Sequence, residues 1–270
     1  MHISKTGGTT LNNILMKNYR FRIDSYGHNF FPRYYPDEFV WTVQPPTSDD
    51  TRRPVYFTGH INVDNDVFRY MPVRYVAITM LRDPVRRLVS HYRYHATLPG
   101  DWLAAAIKQD GLGIVDYFRR FRADIPLQYE VFAPRPGADE GERVAQALRT
   151  LEAKFSLIGL QEQYVAFVVL MKELLGMPDV FYAPLNKTPS SAPDPDPRQL
   201  DELRGLLEHD IAFYEGAKTI YERRVAALGS GLGERVKAFG SAQQQYFDLV
   251  SGTEGAGHAW RRYYAGLTKG

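Results

Sequence analysis

The run His2-Ile3-Ser4-Lys5-Thr6-Gly7-Gly8-Thr9-Thr10 sets a lysine, two adjacent glycines and several hydroxyls just ahead of a helical apolar pattern, Leu11, Ile14 and Leu15. Such a run can hold phosphate. Gly7 and Gly8 let the backbone approach a ligand closely, and Thr9 and Thr10 supply hydroxyls. The free N–H groups and dipole at the start of the following helix favour an anion. Lys5 and Thr6 complete the loop, with the Lys5 charge at its mouth. The ATP-type loop, Gly-x-x-x-x-Gly-Lys-Ser/Thr, carries its lysine after the last glycine and puts its hydroxyl on magnesium. Here the lysine comes first, nearer the leaving-group side of a bound phosphoryl or sulfuryl group. Taken alone, the run also reads as an ordinary turn between a strand and a helix.

A second segment has the same logic. Val73 to Leu81 is nearly continuous in apolar character, as a buried parallel strand should be, and it ends at Arg82-Asp83-Pro84. Asp83 suits an N-cap and Pro84 a first helical position, and Val85, Leu88, Val89 and Tyr92 then recur at helical spacing. Ser90 follows the cap by seven residues, which is two helical turns, or about 10 Å along the axis. Arg82 and Ser90 could together grip a second phosphate. Singly, they read equally as a surface charge and a surface hydroxyl.

These groups need elements to position them. The pattern predicts strands at the N-terminus, 54–58, 73–81, 156–160 and 180–185, alternating with helices at 8–19, 84–97, 101–108, 113–122, 140–154 and 161–176. A further long helix follows Asp196-Pro197-Arg198-Gln199, which reads as N-cap, first-turn proline and capping glutamine. Alternation of this kind predicts an α/β fold, a P-loop-like three-layer sandwich with a central parallel sheet flanked by helices. Ligand sites fall at the carboxyl edge of such a sheet, where Lys5, His60, Arg82 and Asn186 all land. Only three residues precede Ser4, so the first strand is either unusually short or clipped upstream of Met1.

Together, the Lys5 to Thr10 loop and Arg82-Asp83-Pro84-Val85-Arg86-Arg87-Leu88-Val89-Ser90-His91-Tyr92 resemble the two signature loops of sulfotransferases that use 3′-phosphoadenosine 5′-phosphosulfate (PAPS). The resemblance is to the carbohydrate branch containing heparan sulfate 2-O-sulfotransferases. Three weaker blocks continue it in the family's order: Val55-Tyr56-Phe57-Thr58-Gly59-His60, Ile158-Gly159-Leu160-Gln161-Glu162-Gln163 and Leu185-Asn186-Lys187-Thr188.

The resemblance implies that Lys5, Thr6, Gly7, Gly8, Thr9 and Thr10 bind the 5′-phosphosulfate, that Arg82 and Ser90 bind the 3′-phosphate, and that Lys187 and Thr188 lie in a loop closing over the nucleotide. It also implies in-line transfer of the sulfuryl group to an acceptor hydroxyl, with a glycan as the default acceptor. His60 matches the family's general base, a task that neutral imidazole can perform near pH 7; a strand-end histidine satisfied by a backbone carbonyl is the plainer reading. Lys5 would stabilise charge on the bridging oxygen. Arg93, Tyr94 and His95 could face the acceptor.

No metal is expected. His91 and His95 have the spacing of a helical zinc pair but no third ligand suggests itself. Gln161 and Glu162 read as caps of the following helix. The aromatics and arginines of residues 19–54 suit sugar stacking, though packing of that segment on the core is the preferred reading. A nucleotide kinase and a non-catalytic adenosine-bisphosphate binder are the alternative functions; the missing Gly-Lys-Ser/Thr speaks against the first, and Gly59-His60 against the second.

The 270 residues, 44% hydrophobic, contain no continuous apolar run near the about 20 residues that a membrane helix needs. One sulfotransferase domain over 1–228 with a helical extension over 229–270 is expected; whether that tail packs on the domain or makes an oligomer contact stays open. Zero cysteines exclude disulfides and cysteine catalysis and suit a reducing compartment. Animal carbohydrate sulfotransferases are anchored Golgi proteins. With no anchor visible, the expectation is a cytoplasmic bacterial relative, or the Golgi lumen for a trimmed eukaryotic chain. A net charge of +2 gives no sign of a nucleic-acid partner, and none is expected.

Overall fold

Local hydrogen bonds start several of the helices where the sequence places them. Asp83 accepts from the Arg86 amide at 2.8 Å and Pro84 follows it, opening α2 (Pro84–Thr97). Asp101 accepts from the Leu103 and Ala104 amides to open α3 (Trp102–Asp110), which ends at Gly111 with a φ of 60°. Asp139 caps α6 (Glu140–Lys154) in the same way. The capping box of Asp196 and Gln199, with Pro197 between them, opens α8 (Pro197–Leu206), and α9 (Glu208–Ala227) follows after a break at Leu207. The remaining helices are α1 (Gly8–Asn18), α4 (Ile114–Arg120), α5 (Gln128–Phe132), α7 (Tyr164–Leu175) and α10 (Leu232–Ser251). This computed structural model describes residues 3–18, 22–26, 56–64, 75–98, 100–134, 139–178, 180–182 and 194–251.

The described residues are mostly helical, with a small amount of parallel sheet. β1 (Arg22–Tyr26) pairs with β2 (Tyr56–His60), and β3 (Ile78–Leu81) pairs with β4 (Leu157–Leu160), both in parallel. β4 is buried along its length. Its Gly159 has no room for a side chain, since a Cβ there would stand 2.2 Å from the Phe167 ring of α7. Phe132 of α5 stacks on Phe213 of α9 and meets Phe155 edge-on, both at 5.3 Å between ring centres, which joins these helices in one core.

Three expectations about strands need correction. Residues 3–7 turn rather than extend. The buried Thr6 hydroxyl donates to the Ile3 carbonyl at 2.8 Å, and Lys5 and Gly7 adopt positive φ, a combination that no strand accommodates. β1 was not expected. Arg22-Ile23-Asp24-Ser25-Tyr26 has little apolar alternation, and its extended form goes with its pairing to β2 rather than with local propensity. The described part of the last expected strand, 180–182, forms none, and 183–185 lie outside the described residues.

Candidate active site

The loop before α1 is held in a conformation that costs free energy. Lys5 has a φ of 65°, uncommon for a residue with a side chain, and Gly7 one of 94°. Three contacts stabilise the loop. The Thr6 hydroxyl is turned inward onto Ile3, the Gly7 carbonyl accepts from the Leu11 amide at 3.2 Å, and the Lys5 ammonium lies 3.8 Å over the Tyr94 ring of α2. The helix therefore begins at Gly8 with its N-terminus beside Lys5. Thr10 is buried and Thr9 exposed. Thr6 thus serves the loop's shape through its hydroxyl.

Arg82 reaches this loop from 77 residues away, its Nη1 donating to the Lys5 carbonyl at 3.1 Å. Two cations that the sequence keeps apart are neighbours. Burial lowers the Lys5 ammonium from its usual 10.5 to about 8, and the positive charge of Arg82 adds to the effect. Burial also lowers Arg82, against a partial counter-effect from Glu162. The Arg82 Nε is buried without a hydrogen-bond partner among the described residues. A desolvated lysine, an under-satisfied arginine and a helix N-terminus are groups whose chemistry suits an anion.

The main chain of Arg82 is fixed by a side chain that carries no sequence motif. Gln128 of α5 accepts from the Arg82 N–H at 3.0 Å and donates to its carbonyl at 2.8 Å. Asp210 of α9 in turn accepts from the Tyr129 amide at 3.1 Å and lies 3.5 Å from the Gln128 amide nitrogen. Asp210 and Arg87 are 0% and 1% exposed, and desolvation opposes the charge of each. One signal was available: Asp210 heads the buried stripe Asp210, Phe213, Tyr214, Ala217 of α9, an odd place for a carboxylate.

Glu162 does not cap α7, which has no side-chain cap. It accepts instead from the Asp83 N–H at 3.0 Å and from the Tyr214 hydroxyl at 2.9 Å, tying the turn after β3 to the turn after β4.

His60 ends β2 opposite Tyr26 and is partly buried. Beyond it, the Val63 N–H donates to the Val131 carbonyl at 3.0 Å. Gln128 and Val131 lie within one turn of α5, about 4.5 Å apart along its axis. The same short helix therefore holds both the chain leaving His60 and the main chain of Arg82.

On α2, Ser90 is partly buried and lies one turn before Tyr94, whose ring carries Lys5. Arg93 pairs with Asp194, and His95 Nδ1 lies 3.1 Å from Asp101. The His91 ring, 4.4 Å from that of His95, has its Nδ1 bonded to the Tyr117 hydroxyl at 3.0 Å. Burial first, then His95, Arg87 and Lys5, push His91 down from 6.5 to about 2, so it stays neutral. Among the described residues no group of three or more His, Cys, Asp or Glu could hold a metal ion. Lys187, Thr188 and Asn186 lie outside the described residues, as does most of the aromatic segment 19–54.

A family profile described as Galactose-3-O-sulfotransferase matches residues 1–259. The chain is 28% identical over 255 residues to galactose-3-O-sulfotransferase 3 of Bos taurus, covering 86% of this chain and 58% of that protein. The human counterpart is also 28% identical, with 86% and 57% covered. Human galactosylceramide sulfotransferase is 26% identical over 251 residues, with 83% and 56% covered. The chain thus spans a little over half the length of these relatives. The heparan sulfate 2-O branch is accordingly only an approximate label for the resemblance. The bacterial cytoplasmic placement is overturned: these relatives are galactose sulfotransferases of Bos taurus and human, which point to the Golgi alternative instead. No described helix is long and apolar enough to cross a membrane.

Proposed function

The chain belongs to the galactose-3-O-sulfotransferase family, and from that premise we propose that it moves the sulfuryl group of PAPS to a hydroxyl of a galactose-bearing glycan. The observation that carries this reading is the bond from Arg82 to the Lys5 carbonyl, which gathers both motif cations at the N-terminus of α1. Lys5, the amides of Gly7, Gly8, Thr9 and Thr10, and the Thr9 and Thr10 hydroxyls hold the 5′-phosphosulfate. Arg82 and Ser90 hold the 3′-phosphate, with Lys187 and Thr188 contributing from the later loop. Thr6 contributes through its backbone, since its hydroxyl donates to Ile3.

In this mechanism His60 takes the acceptor proton as the hydroxyl oxygen forms its bond to sulfur. The bond from sulfur to the bridging phosphate oxygen breaks, and adenosine 3′,5′-bisphosphate leaves with charge that Lys5 offsets. Arg93, Tyr94 and His95 of α2 meet the sugar; the contact of the Tyr94 ring with the Lys5 ammonium supports this. The transfer itself asks for no metal. The two parallel strand pairs belong to one three-layer sandwich over 1–228, and 229–270 is an extension of that domain. In support of the last point, Gln243 of α10 accepts from the Tyr182 N–H at 3.1 Å.

The test is incubation with PAPS and a panel of galactosides and other glycans. Sulfated galactoside and released bisphosphate in equal amounts are expected. Magnesium-dependent phosphorylation by ATP, or bisphosphate binding with no transfer to any acceptor, would replace the proposal with a kinase or a binder.

Affinity for adenosine 3′,5′-bisphosphate is expected to depend on pH through Lys5. The free protein's Lys5 loses its proton near pH 8. A bound anion draws that value back toward 10.5, so binding takes up a proton between the two, and affinity falls as pH rises through this window. The linkage predicts weakening of about tenfold or more between pH 7.5 and 9.5. Calorimetry at both values checks it, and Lys5→Arg, charged throughout, should flatten the profile. A flat profile for the unmodified protein would remove Lys5 from the anion site. In the free chain the sign reverses: the unfolded state binds more protons at Lys5 in this window, so that contribution to stability rises with pH.

A further inference from the structure

The hydroxyl of Tyr164 is buried and has no hydrogen-bond partner among the described residues. A tyrosine O–H enclosed in protein is ordinarily paired, so the exception calls for a physical reason. Tyr164 opens α7, and its ring lies against the loop before α1. A Cβ built on Gly7 would stand 3.2 Å from Tyr164 Cε2 and 3.6 Å from Cδ2. Cε2 is bonded to the carbon that bears the hydroxyl, so the hydroxyl end of the ring is the end nearer the loop.

The neighbouring groups leave this hydroxyl to something else. The Thr6 hydroxyl donates to Ile3, and the Gly7 carbonyl already accepts from Leu11. Tyr182 packs edge-on against the ring at 5.2 Å, and the amide of Gln243 both accepts from the Tyr182 N–H and donates to its carbonyl. The ring is therefore held in place from the C-terminal helix. Desolvation raises the phenol well above its usual value, which keeps the O–H available as a donor.

We propose that Tyr164 is a further binding residue for the donor nucleotide, its O–H donating to an oxygen of the 5′-phosphate seated over Gly7 and the N-terminus of α1. The inference rests on the sulfotransferase reading above and deepens it. An oxygen anion supplies the acceptor that the enclosed hydroxyl lacks, at the same loop where Lys5 and Arg82 gather positive charge. Gly7 fits this role too, because its missing side chain is what lets the ring approach the loop.

Tyr164→Phe isolates the hydroxyl, since the ring and its packing stay. Titration with adenosine 3′,5′-bisphosphate should show affinity lower by about tenfold or more, as for a hydrogen bond to a charged acceptor. The melting temperature should be unchanged or higher, because an unpaired buried hydroxyl has been removed. Adenosine 3′-monophosphate, which has no 5′-phosphate, should bind the variant and the unmodified protein alike. Bisphosphate affinity within twofold of the unmodified protein would overturn the inference, as would an equal loss for both nucleotides. An unmodified protein that binds neither nucleotide overturns the donor assignment itself.

Discussion

Replacing His60 by alanine is expected to lower sulfuryl transfer by about 10²–10⁴-fold, the usual contribution of a positioned general base, while bisphosphate affinity stays within a few fold. The split between turnover and binding is the informative part. His60 closes β2, and the chain after it is tied through Val63 to Val131 on the helix whose Gln128 grips Arg82. His91, whose proton affinity Lys5 helps to lower, is unsuited to the role: with that affinity depressed to about 2 and its Nδ1 engaged by Tyr117, it cannot carry a proton away near neutral pH. Steady-state transfer rates and calorimetry on the same variant decide the matter. Retention of more than a tenth of the rate, or loss of nucleotide binding along with it, would reassign His60 to a structural role at the strand end.

Asp210→Ala should be strongly destabilising, at about 3–5 kcal/mol, because it removes the buried carboxylate whose negative charge offsets that of the buried Arg87. Arg87 is enclosed, donates Nη2 to the Pro126 carbonyl at 2.8 Å, and has Nε and Nη1 unpaired among the described residues. The same change removes the acceptor for the Tyr129 amide and frees Gln128. For a chain of this size, a loss of that order lowers the melting temperature by about 6–20 °C. Denaturant or thermal unfolding measures it. Pairing Asp210→Leu with Arg87→Met should recover part of the loss, since apolar replacement of both partners removes two desolvation costs together. A single-variant loss below about 1 kcal/mol would show that Arg87 reaches water or another anion. Nucleotide affinity should fall as well, because Gln128 no longer holds the Arg82 main chain in one place.

Much of the scaffold was legible because helix starts are local events. Asp83 with Pro84, and Asp196 with Pro197 and Gln199, predict α2 and α8 from neighbours in sequence, and those caps form as expected. The helices 84–97 and 140–154 match their expected bounds for the same reason, an apolar stripe running from a capping residue to a break. Strands were less legible. β1 carries almost no pattern of its own, and the expected N-terminal strand gives way to a turn set by one threonine hydroxyl and two positive φ values.

The sequence by itself pointed to the carbohydrate sulfotransferase class, because Lys5-Thr6-Gly7-Gly8 and Arg82-Asp83-Pro84 together resemble the signature loops of that family, a likeness that neither run establishes alone. It could not state that Arg82 would donate to the Lys5 carbonyl, that Thr6 would turn its hydroxyl inward, or that Gln128 and Asp210 would steady the pair. It gave no hint that the Tyr164 hydroxyl would be enclosed against Gly7. Those facts arise only when segments tens of residues apart are desolvated against one another. Burial then shifts proton affinities and leaves polar atoms in need of partners, and a linear pattern carries no record of which atoms will lose water together.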